Sequence, residues 1–176
     1  MLPGRHKSSI IRNCYSTGNV TSSGGYSAGG ITGRNSGNVE NCYASGIITS
    51  TGGAGAEVGS VDGASTGTVR CVGLSSKVIS SQASTVVGRV VGKISSGGSG
   101  GGVSNNYGRN DMQVYYNTSA LKTISSGLNT NDGQDVSAGT SPGQYNDQYF
   151  WETTLGWDFT NDWIMSGGPN SLPVLR

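Results

Sequence analysis

Gly29-Gly30-Ile31-Thr32-Gly33-Arg34-Asn35-Ser36-Gly37-Asn38-Val39-Glu40-Asn41-Cys42 is the stretch whose recurrence decides the fold. Gly59-Ser60-Val61-Asp62-Gly63-Ala64-Ser65-Thr66-Gly67-Thr68-Val69 repeats the pattern of Gly29 to Val39 without a gap. Gly88-Arg89-Val90-Val91-Gly92 opens a third copy, which closes at Gly101-Gly102-Val103 after an inserted glycine/serine loop. Self-similarity at about 30 residues marks a solenoid, in which one unit buries its apolar face only against the next.

Set beneath one another, the copies line up in columns. The first apolar column is Ile11, Val39, Val69 and Val103. A charged column follows, Arg12, Glu40, Arg70 and Ser104. Then come Asn13, Asn41 and Asn105, with one residue missing in the copy that holds Arg70. Cys14, Cys42, Cys71 and Asn106 are next, and after them Tyr15, Tyr43, Val72 and Tyr107. A second apolar set, Ile31, Val61 and Val90, is flanked by glycines that include Gly33, Gly63 and Gly92. The segments are short, rich in β-branched residues and bounded by Gly, Asn and Ser, which reads as strand-turn-strand. We expect an all-β chain, a right-handed parallel β-helix of about four turns. Like side chains then stack one layer apart, and stacked Asn amides can bond up a corner. Alternating Arg12, Glu40 and Arg70 would penalise a slipped register more than they add stability.

Residues 1–9 read as a tail, 10–111 as the β-helix repeats and 112–176 as a C-terminal cap. A short helix is expected from Asn146 or Asp147 to Leu155, with Gly156 just past its end. Solenoids expose core and strand edges at their last turn, so the tail aromatics Tyr149, Phe150, Trp151, Trp157, Phe159 and Trp163 are expected to cover that end. The chain has 31 glycines, 33% hydrophobic and 12% charged residues. That composition alone leans towards disorder, but a stacked fold needs only a few small apolar residues per turn. A net charge of +1 carries no footprint for nucleic acid or an anionic membrane. No apolar run is long enough to insert in a bilayer. The basic start, Met1 to Lys7, lacks the apolar core of a signal peptide, and the pattern begins mid-repeat. The expectation is therefore a piece of a larger protein with its export signal upstream.

Candidate chemistry is sparse. Glu40, Glu57 and Asp62 fall at different columns and read as solvated, with Thr32 and Val91 beside Asp62. His6 lies in the basic tail. The three cysteines have neither a CxxC spacing nor a histidine partner, so they read as an inward packing column. Asn129 to Asp135 loosely echoes a calcium loop but reads as a turn, because it lacks the spaced acids and closing Glu. No catalytic, cofactor-binding or metal-binding residue is expected.

Gly30-Ile31-Thr32-Gly33 with Asn41-Cys42-Tyr43-Ala44-Ser45-Gly46 resembles the GLUG-motif repeat family. Asn13-Cys14-Tyr15-Ser16-Thr17-Gly18 and Arg89-Val90-Val91-Gly92 look like further copies, and Leu155 to Trp163 with Leu172 to Arg176 looks like the closing segment of such proteins. Asp62 and Arg89 depart from the common neutral residues, and Val72 from Tyr. The resemblance implies a module of bacterial cell-surface or secreted proteins, adhesin-like or a stalk beside a surface peptidase. It brings no catalytic residues with it. The expectation is a non-catalytic extracellular stalk or adhesive surface, partnered by the rest of a larger surface protein and by a host or matrix glycan or protein. Carbohydrate binding and a β-helix polysaccharide-active enzyme are the alternatives.

Overall fold

The computed structural model describes residues 9–61, 67–94 and 102–176. The chain winds as a parallel β-solenoid of about four turns, each returning to the same sheets in the same order. Turn one comprises β1 (Ile10–Arg12), β2 (Tyr15–Ser16), β3 (Val20–Ser22) and β4 (Thr32–Asn35). Turn two is β5 (Asn38–Glu40), β6 (Tyr43–Ala44), β7 (Ile48–Ser50) and β8 (Val58–Val61). Turn three is β9 (Gly67–Val69), β10 (Val72–Gly73), β11 (Lys77–Ser80) and β12 (Val91–Ile94). Turn four has β13 (Val103–Ser104), β14 (Tyr107–Arg109) and β15 (Gln113–Tyr116).

The stack continues past Asp111. β15 pairs in parallel with β11, and β17 (Gln134–Val136) adds a further rung to β14. Between them β16 (Ala120–Leu121) folds back antiparallel on β15. The tail expected at residues 1–9 lies outside the described residues except for Ser9, whose carbonyl accepts from the Asn38 amide at 2.8 Å. The inserted loop falls outside them except for Gly102.

Side-chain columns form, with two corrections of register. Ile11 pairs with Val39, but Val39 and Val103 both face Thr68; Val69 lies opposite Glu40 and Ser104. No residue is therefore missing at the corner; the chain is instead three residues longer before it, because Asn35 faces Val61 while Asn38 faces Gly67. Arg70 takes the asparagine position. Asn13, Asn41, Arg70 and Asn105 all hold positive φ, at 54°, 52°, 52° and 54°. Asparagine tolerates the left-handed region and arginine does so at a cost, so the corner is conserved in geometry where the residue type changes. The Asn41 amide donates to Asn13 Oδ1 at 3.3 Å, and Arg70 Nε donates to Asn41 Oδ1 at 2.9 Å. Glu40 still sits between cations, 3.3 Å from Arg12 and 3.7 Å from Arg70.

The second correction concerns the glycine-flanked set. Thr32 and Val91 flank Val58, so Gly33, Gly59 and Gly92 form the column, and Ile31 aligns with Glu57 and Val90. Val61 instead faces Asn35 and Ile94. Gly63, like Asp62, lies outside the described residues. The strongest visual match, Gly29 with Gly59, is thus displaced: Ala28, Ala54 and Val87 bridge one another, which places Gly55 and Gly88 above Gly29. Crowding dictates the glycines here. A Cβ on Gly59 would stand 2.6 Å from the Ala28 amide nitrogen, and one on Gly55 2.5 Å from that of Gly92. Backbones of successive turns press together with no room for a side chain.

The interior is thin and made of small residues. Val39, Cys42, Val58, Val61, Cys71, Val90, Val91 and Val103 form one cluster, and Ile48, Val78, Val114, Met112 and the alanines 28, 54 and 56 another.

Residues 145–176 do not cover the end of the solenoid; they lie along its flank. The outward rings of Tyr15, Tyr43 and Tyr107, with Val72 between, offer an apolar stripe across all four turns. Trp151, Trp157, Trp163, Phe150, Phe159 and Leu155 bury it. Tyr15 stacks on Tyr43 at 5.3 Å and meets Trp163 at 6.3 Å, while Phe150 meets Tyr107 edge-on at 5.1 Å. The flank is pinned by polar contacts too: Trp157 Nε1 donates to the Arg70 carbonyl at 3.1 Å, the Tyr43 hydroxyl to Pro173 at 2.7 Å, and the Asn13 amide to Asp162 at 2.7 Å. The expected helix is one π turn, Phe150–Thr154, with the Tyr149 amide donating to Asp147 at 3.1 Å and Gly156 at φ 72° after it. Asn146 is engaged elsewhere, with Gly139 and Ser171. β18 (Trp163–Met165) and β19 (Pro173–Leu175) close the chain as an antiparallel pair.

Candidate functional site

Three groups of polar residues stand out from this frame. The first is interior. Glu57 is completely buried, not solvated as its charge suggested, and neither carboxylate oxygen has a hydrogen-bond partner. It occupies the apolar column between Ile31 and Val90, so its side chain must follow theirs inward. Burial first, and then the Cys42 thiol, pushes its pKa well above the usual carboxylate range; the nearby Ala44 amide opposes this only in part. The Cys42 and Cys71 thiols stand near it, and Cys14 continues their column one layer on; all three are free. Each turns back on its own corner, donating to the carbonyls of Arg12 (3.2 Å), Glu40 (3.1 Å) and Val69 (3.4 Å). Burial raises the Cys71 thiol, which keeps it protonated and unreactive. Asn106 ends the column by donating to the Thr68 carbonyl at 2.6 Å and accepting from the Cys71 amide at 2.9 Å. The cysteine column is a packing element. Among the described residues no group of three or more His, Cys, Asp or Glu side chains could hold a metal.

The second group seals the last turn. Arg89 follows Gly30 and Ala56 in its column and is fully buried. Its guanidinium donates to the carbonyls of Asp132 (2.8 Å), Arg109 (3.1 Å) and Gly133 (2.8 Å) and pairs with Asp135 at 2.7 Å. Gly108 makes the space, since a Cβ there would stand 2.8 Å from Arg89 Nε. Asp132 accepts from the Arg89 amide, the Ser125 amide and both ways from Lys122, at 2.8 and 2.9 Å. The segment that echoed a calcium loop therefore carries a lysine ammonium against its central acid. Arg89, a departure in sequence, is the anchor that joins the closing loop to the solenoid.

The third group is on the surface. Arg34, Ser60 and Lys93 stack in register on β4, β8 and β12, beside the loop that carries Tyr26. Together with Gly25, Ser27 and Gly33 they line a groove of about 400 Å³. None of its side chains was singled out from sequence, because Tyr26 lies in a loop outside every column.

Residues 24–49 carry the GLUG motif. The GLUG stretch thus spans the first glycine-crowded crossing, the asparagine corner and strands β4 to β6, with its glycines where successive backbones touch. A Bacteroides ovatus protein, whose 1.30 Å crystal structure is described provisionally as an immunoglobulin A1 protease, has the same fold at 21% identity and a TM-score of 0.57. The match covers 97% of this chain and 60% of that one, so the chain spans less than two thirds of its neighbour's length. No curated protein matches the chain in sequence.

Proposed function

We propose that this chain is a non-catalytic, adhesive module of a bacterial secreted or surface protein. The observation that carries the reading is where the chain's two ends run. Residues 9–16 begin turn one, and the closing segment returns to turn one: Asp162 bonds Asn13, Trp163 meets the Tyr15 ring, and the Arg176 amide donates to the Asp162 carbonyl. Tension applied between the two ends would not pass along the stack. This favours a module that presents a face over one that transmits tension. The GLUG motif and the Bacteroides fold neighbour support the bacterial surface setting. The polar groups support a non-catalytic role: Asp132 and Asp135 are committed to Lys122 and Arg89, and Glu57 and the Cys42 and Cys71 thiols lie inside. No helix among the described residues is long and apolar enough to cross a membrane.

The test is a solid-phase adhesion assay with beads carrying the purified module, run against neutral glycans, acidic glycans, collagen and fibronectin. Retention on at least one surface, above that of beads carrying the heat-unfolded chain, is expected. Equal retention on all of them overturns the reading.

A further inference from the structure

A pocket opens where the aromatic flank leaves the side of the stack. One residue past the paired Ala44, Gly73 and Gly108 stand Ser45, Leu74 and Arg109, one in each of turns two, three and four. The flank meets them with Ala138, Tyr145, Asn170 and Leu172, and about 330 Å³ lies between. That is the lower end of the range for small-ligand sites. The flank wall is fixed in place. The Tyr145 amide donates to the Ser137 carbonyl at 3.1 Å, and the Tyr145 carbonyl accepts from Trp151 Nε1 at 2.7 Å. Asn146 ties two stretches of that wall together, accepting from the Gly139 amide at 2.9 Å and donating to the Ser171 carbonyl at 3.1 Å. A wall held this way gives up little conformational freedom when a ligand enters.

Tyr145 shows what the pocket can recognise. It is only 8% exposed, yet its hydroxyl makes no hydrogen bond among the described residues. Nor is that oxygen one of the polar atoms shut away from solvent, so it opens into the pocket that the residue lines. A largely buried tyrosine usually finds a partner for its O–H. Burial raises its pKa first; Arg109 opposes this and Asp111 adds to it. The hydroxyl therefore stays protonated, near that ion pair.

The other polar groups suit a ligand without charge. Ser45, Ser76 and Asn170 side chains can each donate and accept, and none of the three makes a side-chain hydrogen bond among the described residues. Arg109 is the one charged residue among the described residues of the lining. Its charge is met by Asp111, which accepts from Nε and, at 2.8 Å, from Nη2. Leu74 and the Tyr145 ring supply apolar surface. A pyranose has the matching pattern, C–H faces with a rim of hydroxyls that both donate and accept. An anion would have to compete with Asp111 for Arg109. A peptide strand has no edge to join here, because β6, β10 and β14 are each paired on both sides.

We propose that this pocket binds one neutral sugar residue of a glycan, with the Tyr145 hydroxyl and Arg109 bonding its hydroxyls and Leu74 against its C–H face. The proposal rests on the adhesive reading above and names its ligand class.

The experiment follows methyl and tyrosine-ring NMR signals of the whole chain during titration with the methyl glycosides of glucose, galactose, mannose and N-acetylglucosamine. Galacturonate and glycerol serve as the charged and the non-sugar probes. At least one neutral glycoside is expected to shift the Leu74, Leu172 and Tyr145 signals saturably, and to bind more tightly than either control probe. Tyr145→Phe should weaken that binding roughly fivefold, the worth of about one hydrogen bond. Its melting temperature should stay unchanged, because the lost hydroxyl has no partner within the fold. Asn170→Ala, at an exposed position, should weaken binding by a smaller factor. Failure of every neutral glycoside to shift those signals overturns the proposal. So does galacturonate or glycerol binding as tightly as the best glycoside, or unchanged affinity in Tyr145→Phe. If wild-type beads adhere in the assay above and Tyr145→Phe beads adhere equally well, the pocket assignment falls and the adhesive module stands.

Discussion

The interior of the solenoid and its aromatic flank are two cores built on opposite rules. Inside, the residues are valine, alanine, cysteine and isoleucine, each meeting its equivalents in the layers above and below. On the flank, three tryptophans, Phe150, Phe159 and the Tyr43 ring pack with no repeat at all. The interior joins neighbours only, since turn two touches turns one and three. The flank joins what is distant: Trp157 reaches the Tyr43 ring in turn two at 6.4 Å and the Arg70 carbonyl in turn three, while Trp163 reaches turn one. Repeat proteins sum nearest-neighbour terms and can fray from an end. A flank that spans the turns makes them cooperate.

The largest test of this contrast removes a flank ring. Trp157→Ala should cost about 3–5 kcal/mol and lower the denaturant midpoint accordingly. Amide exchange should then speed up at Asn13 and Tyr15 in turn one, far along the chain. Its interior counterpart, Ile48→Val, should cost about 0.5–1.5 kcal/mol and leave exchange in turn one unchanged. Equal spread of the two effects would erase the distinction.

The next test is inside the interior rule. Glu57 breaks it, being an acid in an isoleucine–valine column with no partner. Glu57→Ile should stabilise the fold by about 1–3 kcal/mol, the typical cost of an unsatisfied buried polar group. The folded state holds this proton more tightly than the unfolded chain does. Glu57 therefore destabilises least below the unfolded value of about 4.3, and its penalty grows as pH rises towards the folded-state pKa. Urea midpoints of wild type and Glu57→Ile should diverge from pH 4 to pH 8. Parallel curves would mean that the carboxylate finds solvent.

The smallest effect concerns Thr68, which sits among Ile11, Val39 and Val103 with its hydroxyl buried and unpartnered. Thr68→Val should add about 1 kcal/mol, read as a small rise in melting temperature. A loss would show that the hydroxyl has a partner in solution.

The columns through Ile11, Asn13, Cys14 and Tyr15 were readable because stacking writes the same residue types at the same interval. Legibility failed where a copy used a different residue for the same backbone. Arg70 does an asparagine's work at the left-handed corner, so alignment by residue type misplaced Val69. Glu57 stands where Ile31 and Val90 stand, and this hid the true partner of the first glycine pair behind Gly59. The groove was not readable, because its parts come from three turns and a loop and share no motif. The flank was half-readable: the clustered aromatics announced a second core, but their place depended on the tyrosines they had to cover.

The sequence by itself determined that this chain coils into layers, because a repeat that cannot bury its apolar face alone must stack on its own copies. It also determined the small interior, since glycines mark where backbones of successive turns leave no room for Cβ atoms. Only the tertiary structure decided that the tail lies along the side of the stack and returns to turn one, and that Glu57 is entombed while Tyr26 stands in water. Those outcomes depend on which surfaces remain uncovered after the coil has formed, and no local pattern of residues encodes that remainder.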